Sequence, residues 1–93
     1  LYPVGSLVEL NNKERGVVYE PNPSDSRKPT VGLFTTSNQK PRGAPFIVNM
    51  AIRSEAEGRE IVKVLDPERE GIDIEDMLKE VAQRGERTER MRR

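Results

Sequence analysis

Residues 7–20 read LVELNNKERGVVYE, and this stretch decides the fold. Two short apolar runs, residues 7–10 and 16–20, flank a polar segment that opens with two asparagines. The second run is rich in β-branched and aromatic residues, which favour strands. Asparagine tolerates the left-handed backbone region that tight hairpin turns require. The stretch therefore predicts two antiparallel strands joined by a tight turn.

Three more short apolar runs follow, at residues 29–34, 46–50 and 61–65. Residues 35–45 contain no apolar run and predict a long connection, and the charged segment 53–59 predicts a loop or one helical turn. Five short strands without βαβ spacing predict a mainly β fold. We expect a small SH3-like antiparallel barrel, because closing the sheet hides its edges, with an open sheet as the alternative.

The hydrophobic periodicity changes after Pro67 and predicts one C-terminal α-helix. Its apolar stripe has the spacing i, i+3, i+4 and i+7 and consists of Ile74, Met77, Leu78 and Val81. Asp73 is a candidate N-cap, and Gly85 is expected to break or fray the helix. Beyond Gly85 we expect a disordered tail or a continuing solvated helix. The chain thus divides into an SH3-like β-barrel module, residues 1–67, and a charged C-terminal helix and tail, residues 68–93.

The stripe needs a surface to cover it. Leaving its larger side chains in water would forgo about 1.5–3 kcal/mol for each of them, so we expect burial on the barrel or in a partner. Ile74, Met77, Leu78 and Val81 are therefore candidate partner-docking residues.

The composition argues against a catalytic site in this chain. The sequence has no cysteine and no histidine, which removes thiolate metal ligands, the commonest general base and the commonest metal ligand. Helix capping and solvation account for the acidic cluster Glu75, Asp76 and Glu80. We therefore expect no enzymatic activity, no metal and no cofactor.

The residue composition also bears on where in the cell the protein is expected. A chain without cysteine is typical of the reducing cytosol, and no apolar run approaches the roughly 20 residues that cross a bilayer, so no membrane partner is expected. The chain begins at Leu1 rather than at a methionine. We expect it to be a part of a longer protein.

Basic residues are clustered locally although the net charge is zero. Sixteen basic and sixteen acidic residues cancel, so no long-range field steers the chain to a nucleic acid. The candidate phosphate-binding residues are Arg27, Lys28, Lys40 and Arg42, which lie beside prolines and glycines. They should converge on one face if the module binds nucleic acid. Two tyrosines and two phenylalanines offer few platforms for base stacking.

Two segments resemble the C-terminal β-rich extension of HD-GYP-type phosphohydrolases. The first consists of Tyr2-Pro3-Val4-Gly5-Ser6-Leu7-Val8-Glu9-Leu10, Glu14-Arg15-Gly16-Val17-Val18, Asn22-Pro23 and Lys28-Pro29-Thr30-Val31, and the second runs from Ile61 to Pro67. The resemblance implies an accessory tail of a bacterial metal-dependent phosphodiesterase, which in the best-known cases opens cyclic di-GMP. The His-Asp and Gly-Tyr-Pro motifs that carry the family's catalysis have no counterpart in this sequence.

These observations together favour a non-catalytic accessory domain at the C-terminus of an HD-GYP-type cyclic di-GMP phosphodiesterase. Its partner would be the parent catalytic domain, another protein or a second copy of the chain. Two alternatives stay open. One is a small SH3-like module that binds nucleic acid, and the other is a regulatory site for the cyclic dinucleotide, since arginines bind phosphates and stack on guanines.

Overall fold

The computed structural model describes residues 2–91 of the chain, with side chains through residue 85. The strands are β1 (Leu7–Leu10), β2 (Arg15–Glu20), β3 (Thr30–Thr35), β4 (Pro41–Asn49) and β5 (Ile61–Leu65). The helices are α1 (Arg53–Ala56), α2 (Pro67–Glu70) and α3 (Ile74–Met91). The predicted class, mainly β with one long C-terminal helix, is confirmed.

All five strands lie in one antiparallel sheet in the order β4-β3-β2-β1-β5. Strands β1 to β4 form a meander, and β5 returns to pair with β1, so that Leu65 lies opposite Leu7 and Val64 opposite Val8. This arrangement is consistent with the expected SH3-like barrel. The sheet of residues 2–91 contains no pairing between its outer strands β4 and β5, so closure of the barrel stays a prediction.

The hydrophobic core lies on one face of the sheet. Its buried members are Val8, Leu10, Val18, Val31, Leu33, Val48 and Met50. Partners across an antiparallel ladder point to the same face, and Gly16 pairs with both Val8 and Leu33. A Cβ atom at Gly16 would stand 2.7 Å from the carbonyl oxygen of Gly32. Glycine is therefore needed here for the close approach of β2 and β3.

Helix α3 packs against the opposite face of the sheet. Val81 is 1% exposed, and a Cβ atom at Gly32 of β3 would stand 2.3 Å from Val81 Cγ2. Ile74, Met77 and Leu78 are half-buried. Ile74 and Leu78 both lie beside Gly5, whose added Cβ would be 3.3 Å and 3.9 Å from their methyl groups. The apolar stripe is thus covered by its own chain, with Val81 on the sheet and Ile74 and Leu78 beside the segment that leads into β1.

The start of α3 follows the sequence prediction, because the carboxylate of Asp73 accepts the backbone N–H of Asp76 at 3.3 Å. Of the two outcomes expected beyond Gly85, the continuing helix is confirmed and a break at Gly85 is wrong, since α3 continues to Met91. A single helical glycine costs about 1 kcal/mol relative to alanine, which a helix anchored by packing tolerates. The side chains of the predicted charged tail, from residue 86 onward, lie outside the described residues.

The long connection predicted for residues 35–45 is also wrong, because β4 begins at Pro41. Proline is tolerated there since β4 is an outer strand and needs hydrogen bonds on one side only. The short helix α2 has no apolar periodicity to predict it. It begins at the N-cap Asp66, whose carboxylate accepts the backbone N–H of Glu68 at 3.1 Å. None of the helices within residues 2–91 is long and apolar enough to span a bilayer.

Replacing Leu78 with aspartate should weaken the docking of α3 on the sheet. Leu78 is half-buried beside Gly5, so we expect a loss of about 1.5 kcal/mol in the free energy of unfolding. Urea denaturation followed by circular dichroism measures it. Deleting residues 86–93 is the control and should leave the unfolding midpoint unchanged. An unchanged midpoint for Leu78→Asp would contradict the packing described above.

Candidate functional site

A cleft of about 600 Å³ opens beside the β2–β3 loop, α1 and the start of β5. Its charged lining consists of four cationic side chains and one carboxylate: Arg27, Lys28, Arg53, Arg59 and Glu60. Its apolar lining includes Tyr2, Met50, Ala56 and Ile61. The excess of positive charge around an apolar floor favours an anionic occupant.

The loop at residues 22–28 is held in place by its own side chains. The amide oxygen of Asn22 accepts the backbone N–H groups of Ser24 and Asp25, at 2.9 Å and 3.3 Å, and its nitrogen donates to the carbonyl of Lys28 at 3.2 Å. The carboxylate of Asp25 accepts hydrogen bonds from the backbone N–H of Arg27 and from the guanidinium of Arg27. Both hydrogen bonds lower the pKa of Asp25, the backbone one more strongly. The loop backbone thereby places Arg27 and Lys28 at the cleft, and Asp25 also holds the guanidinium of Arg27.

Glu14 is a buried carboxylate at the turn between β1 and β2. Its side chain is 2% exposed and is held by Arg42 at 2.7 Å and by Arg59 at 2.6 Å. The amide of Asn12 also donates to it, at 2.5 Å. Burial alone would raise the pKa of Glu14, but the hydrogen bonds from Arg59, Asn12 and Arg42 together lower it. Glu14 is therefore an ionised anchor for two arginines.

The same two arginines lie over the ring of Phe46. The guanidinium carbon of Arg42 is 5.1 Å from the ring centroid, and that of Arg59 is 5.5 Å from it. Both distances fall within the range of cation–π attraction. Glu14 and Phe46 together fix the orientation of Arg59, which also forms part of the cleft wall.

A second buried carboxylate, Glu9, lies on the face of the sheet that α3 covers. Arg15 donates to Glu9 at 3.2 Å and to Glu70 of α2 at 3.1 Å, while Lys63 of β5 is 3.8 Å from Glu9. This network ties α2 and β5 to the central strands. Among the described residues, no group of three or more acidic side chains is placed to hold a metal ion.

The predicted phosphate-binding residues separate into two places. Arg27 and Lys28 line the cleft, whereas Arg42 is bound to Glu14. Lys40 lies at the β3–β4 turn, where its backbone N–H donates to the hydroxyl of Thr36 at 3.2 Å. Neither Lys40 nor Arg42 lines the cleft.

Sequence reasoning missed three residues of this region, Glu14, Arg53 and Arg59. No local signal marks Glu14, because its arginine partners lie 28 and 45 positions further along the chain. Arg53 and Arg59 lie at the two ends of a charged segment whose sequence predicts only a connection between strands. Their placement beside Arg27 and Lys28 depends on the return of β4 and β5 to the same end of the sheet.

The outer strand β5 exposes apolar surface beside the core. Val62 is 54% exposed and Val64 is 62% exposed. By register Val64 pairs with Val8, a core residue. Val64 therefore extends the apolar face of the sheet to its edge, and Val62 lies where the register between β1 and β5 shifts.

Comparison of the chain with protein-family models, with curated proteins and with solved structures finds no match. The resemblance to the extension of HD-GYP-type phosphohydrolases therefore stays an expectation from the sequence.

Proposed function

We propose that the chain is a non-catalytic accessory module of an HD-GYP-type cyclic di-GMP phosphodiesterase, and that it docks on the catalytic domain of that enzyme through β5. The observation that carries the proposal is the exposure of Val62 and Val64 on an outer strand. A cytoplasmic location belongs to the same proposal.

An outer strand is a natural surface for docking. β5 pairs with β1 on one side, and its other edge has no strand partner within residues 2–91. Such an edge offers unpaired backbone groups to an incoming strand, and alternate side chains add apolar contacts. A partner seated against Val62 and Val64 would continue the core that Val8 begins.

The sequence resemblance points to the same strand. Its second segment runs from Ile61 to Pro67 and includes both exposed valines. The chain's own core uses Ile61, which packs on it, but leaves Val62 and Val64 in solvent. Helix α3, in contrast, already places its apolar stripe on the sheet. We therefore assign docking to β5 rather than to Ile74, Met77, Leu78 and Val81.

Amide hydrogen exchange tests this docking. The gene is first sequenced upstream of Leu1. Amide exchange rates are then compared between the isolated chain and the same residues within the full-length protein. In the full-length protein we expect amides 61–65 to exchange at least 10-fold more slowly, because a docked edge opens less often. Val62→Lys/Val64→Lys should abolish that difference.

The matched control for docking is Val4→Lys, since Val4 is similarly exposed but lies outside β5. It should leave the protection of residues 61–65 intact. Equal exchange rates in the isolated chain and in the full-length protein would refute docking through β5. An upstream sequence without a His-Asp motif would refute the assigned parent.

The non-catalytic part of the proposal has its own assay. The isolated chain is incubated with cyclic di-GMP and manganese or iron(II), and the linear product is measured. We expect no turnover above a buffer blank. Turnover would overturn the non-catalytic assignment if it persisted after the chain was purified again and was lost when a residue of the chain was substituted.

A further inference from the structure

We propose that the cleft between the 22–28 loop, α1 and the start of β5 binds a small phosphate ester with an aromatic body, of the class of nucleoside monophosphates. This site is separate from docking through Val62 and Val64. Its phosphate would lie against Lys28 and Arg53, and its ring would lie on the apolar floor.

The charges of the cleft single out Lys28 and Arg53. Arg59 is already bound to Glu14 at 2.6 Å, and Arg27 is paired with Asp25 at 3.3 Å. Among the described residues, Lys28 and Arg53 form no salt bridge and no side-chain hydrogen bond. Lys28 does lie close enough to Asp25 to help lower the pKa of that carboxyl. Two cations that line one cleft without a salt bridge of their own offer charge-assisted hydrogen bonds to a phosphate.

The floor of the cleft suits an aromatic ring. Met50 and Ala56 are buried at its base, and Tyr2 and Ile61 pack beside them on the core. A planar ring placed there gains apolar contacts with Met50 and contact with the phenol ring of Tyr2. The volume of about 600 Å³ lies within the range of small-molecule sites.

The walls of the cleft are preorganised. Asn22 holds the loop that carries Lys28, and the backbone N–H of Met50 donates to the carbonyl of Pro29 at 3.1 Å. On the other side, Arg59 is fixed by Glu14 and also donates to the carbonyl of Glu55 in α1 at 3.3 Å. The backbone of the 22–28 loop and the side chain of Arg59 therefore need little ordering when a ligand binds, whereas the exposed side chains of Lys28 and Arg53 become ordered against the phosphate.

Titration calorimetry of the full chain at low salt tests the site with AMP, adenosine, inorganic phosphate and a ten-residue oligothymidylate. We expect AMP to bind, and adenosine and inorganic phosphate to bind at least 10-fold more weakly. Adenosine lacks the phosphate, and inorganic phosphate lacks the aromatic ring. Lys28→Ala/Arg53→Ala should weaken AMP binding at least 10-fold. Both residues are exposed, so thermal unfolding of this variant should match that of the parent chain.

The control variant is Lys79→Ala/Arg69→Ala, which removes one lysine and one arginine from exposed positions outside the cleft. It should bind AMP as the unmodified chain does. Equal loss of affinity in both double variants, or no binding of AMP, would overturn the proposal. Oligothymidylate binding without AMP binding would also overturn it and would favour a nucleic-acid surface instead.

Discussion

Glu14→Ala is expected to lower the free energy of unfolding by about 3 kcal/mol, at the lower end of the cost of breaking a buried ion pair. The loss is large because Glu14 is the buried carboxylate that both Arg42 and Arg59 contact most closely. It is not larger because the side chains of Arg42 and Arg59 stay 26% and 15% exposed, so water partly solvates them. Urea denaturation followed by circular dichroism measures the loss.

The control for Glu14 is Glu57→Ala, which removes a carboxylate that contacts the same Arg59 at 3.9 Å from an exposed position. Exposed pairs contribute about 0–1 kcal/mol, so this variant should unfold almost like the parent chain. Equal losses for the two variants would show that the burial of Glu14 does not determine its contribution.

The contribution of Glu14 should also depend on pH. Burial favours the neutral acid, but the hydrogen bonds from Arg59, Asn12 and Arg42 keep the pKa of Glu14 below its ordinary value of 4.5. A carboxyl whose pKa is lower in the folded state stabilises the fold fully above the unfolded-state pKa, and this stabilisation is lost as the pH falls through the folded-state pKa. The stability gap between the parent chain and Glu14→Ala should therefore narrow as the pH falls below 4.5.

Gly32→Ala is expected to lower the free energy of unfolding by about 2–3 kcal/mol, within the range for overpacking. The added methyl would stand 2.3 Å from Val81 Cγ2 and 3.0 Å from its Cγ1. Val81 is β-branched and buried against the sheet, so it has few other rotamers available. The clash must therefore displace α3 from β3.

A double-mutant cycle isolates this contact. Val81→Ala removes the two methyl groups that clash, so Gly32→Ala should cost much less in a Val81→Ala background than in the parent chain. Gly43→Ala is the control, because a Cβ atom at Gly43 meets nothing within 4 Å. Additive losses for Gly32→Ala and Val81→Ala would contradict the packing of Val81 on Gly32.

The parts of the fold that sequence patterns predict are those with apolar runs. β1 and β5 are bounded correctly because turn residues or charges flank their runs of Leu, Val and Ile. The first half of β4 reads Pro-Arg-Gly-Ala-Pro. Its strand conformation comes from pairing with β3, as between Thr35 and Pro41, and such a tertiary effect leaves no periodic signal.

The residues of the candidate site likewise include some that the local sequence marks and some that it does not. Arg27 and Lys28 are adjacent in sequence and beside a proline, so local composition marks them. Arg59 reaches the same cleft only because β5 returns to the sheet, and Glu14 is buried only because distant arginines neutralise it. Arg59 is bound by the distant Glu14, whereas Lys28 and Arg53 form no salt bridge with the described side chains, and this difference cannot be seen in the local sequence.

The pairing of β5 with β1 has a consequence for the order of folding. The neighbours in the meander are joined by short connections, whereas residues 11–60 separate β1 from β5. Each doubling of a loop costs about 0.6 kcal/mol of chain entropy on closure, so β5 is expected to join a preformed meander last. On a ribosome, β1 would keep an open edge until residue 65 has left the exit tunnel. Capture of that edge by a neighbouring nascent chain is then a route to misassembly, and the pairing of β5 with β1 closes it.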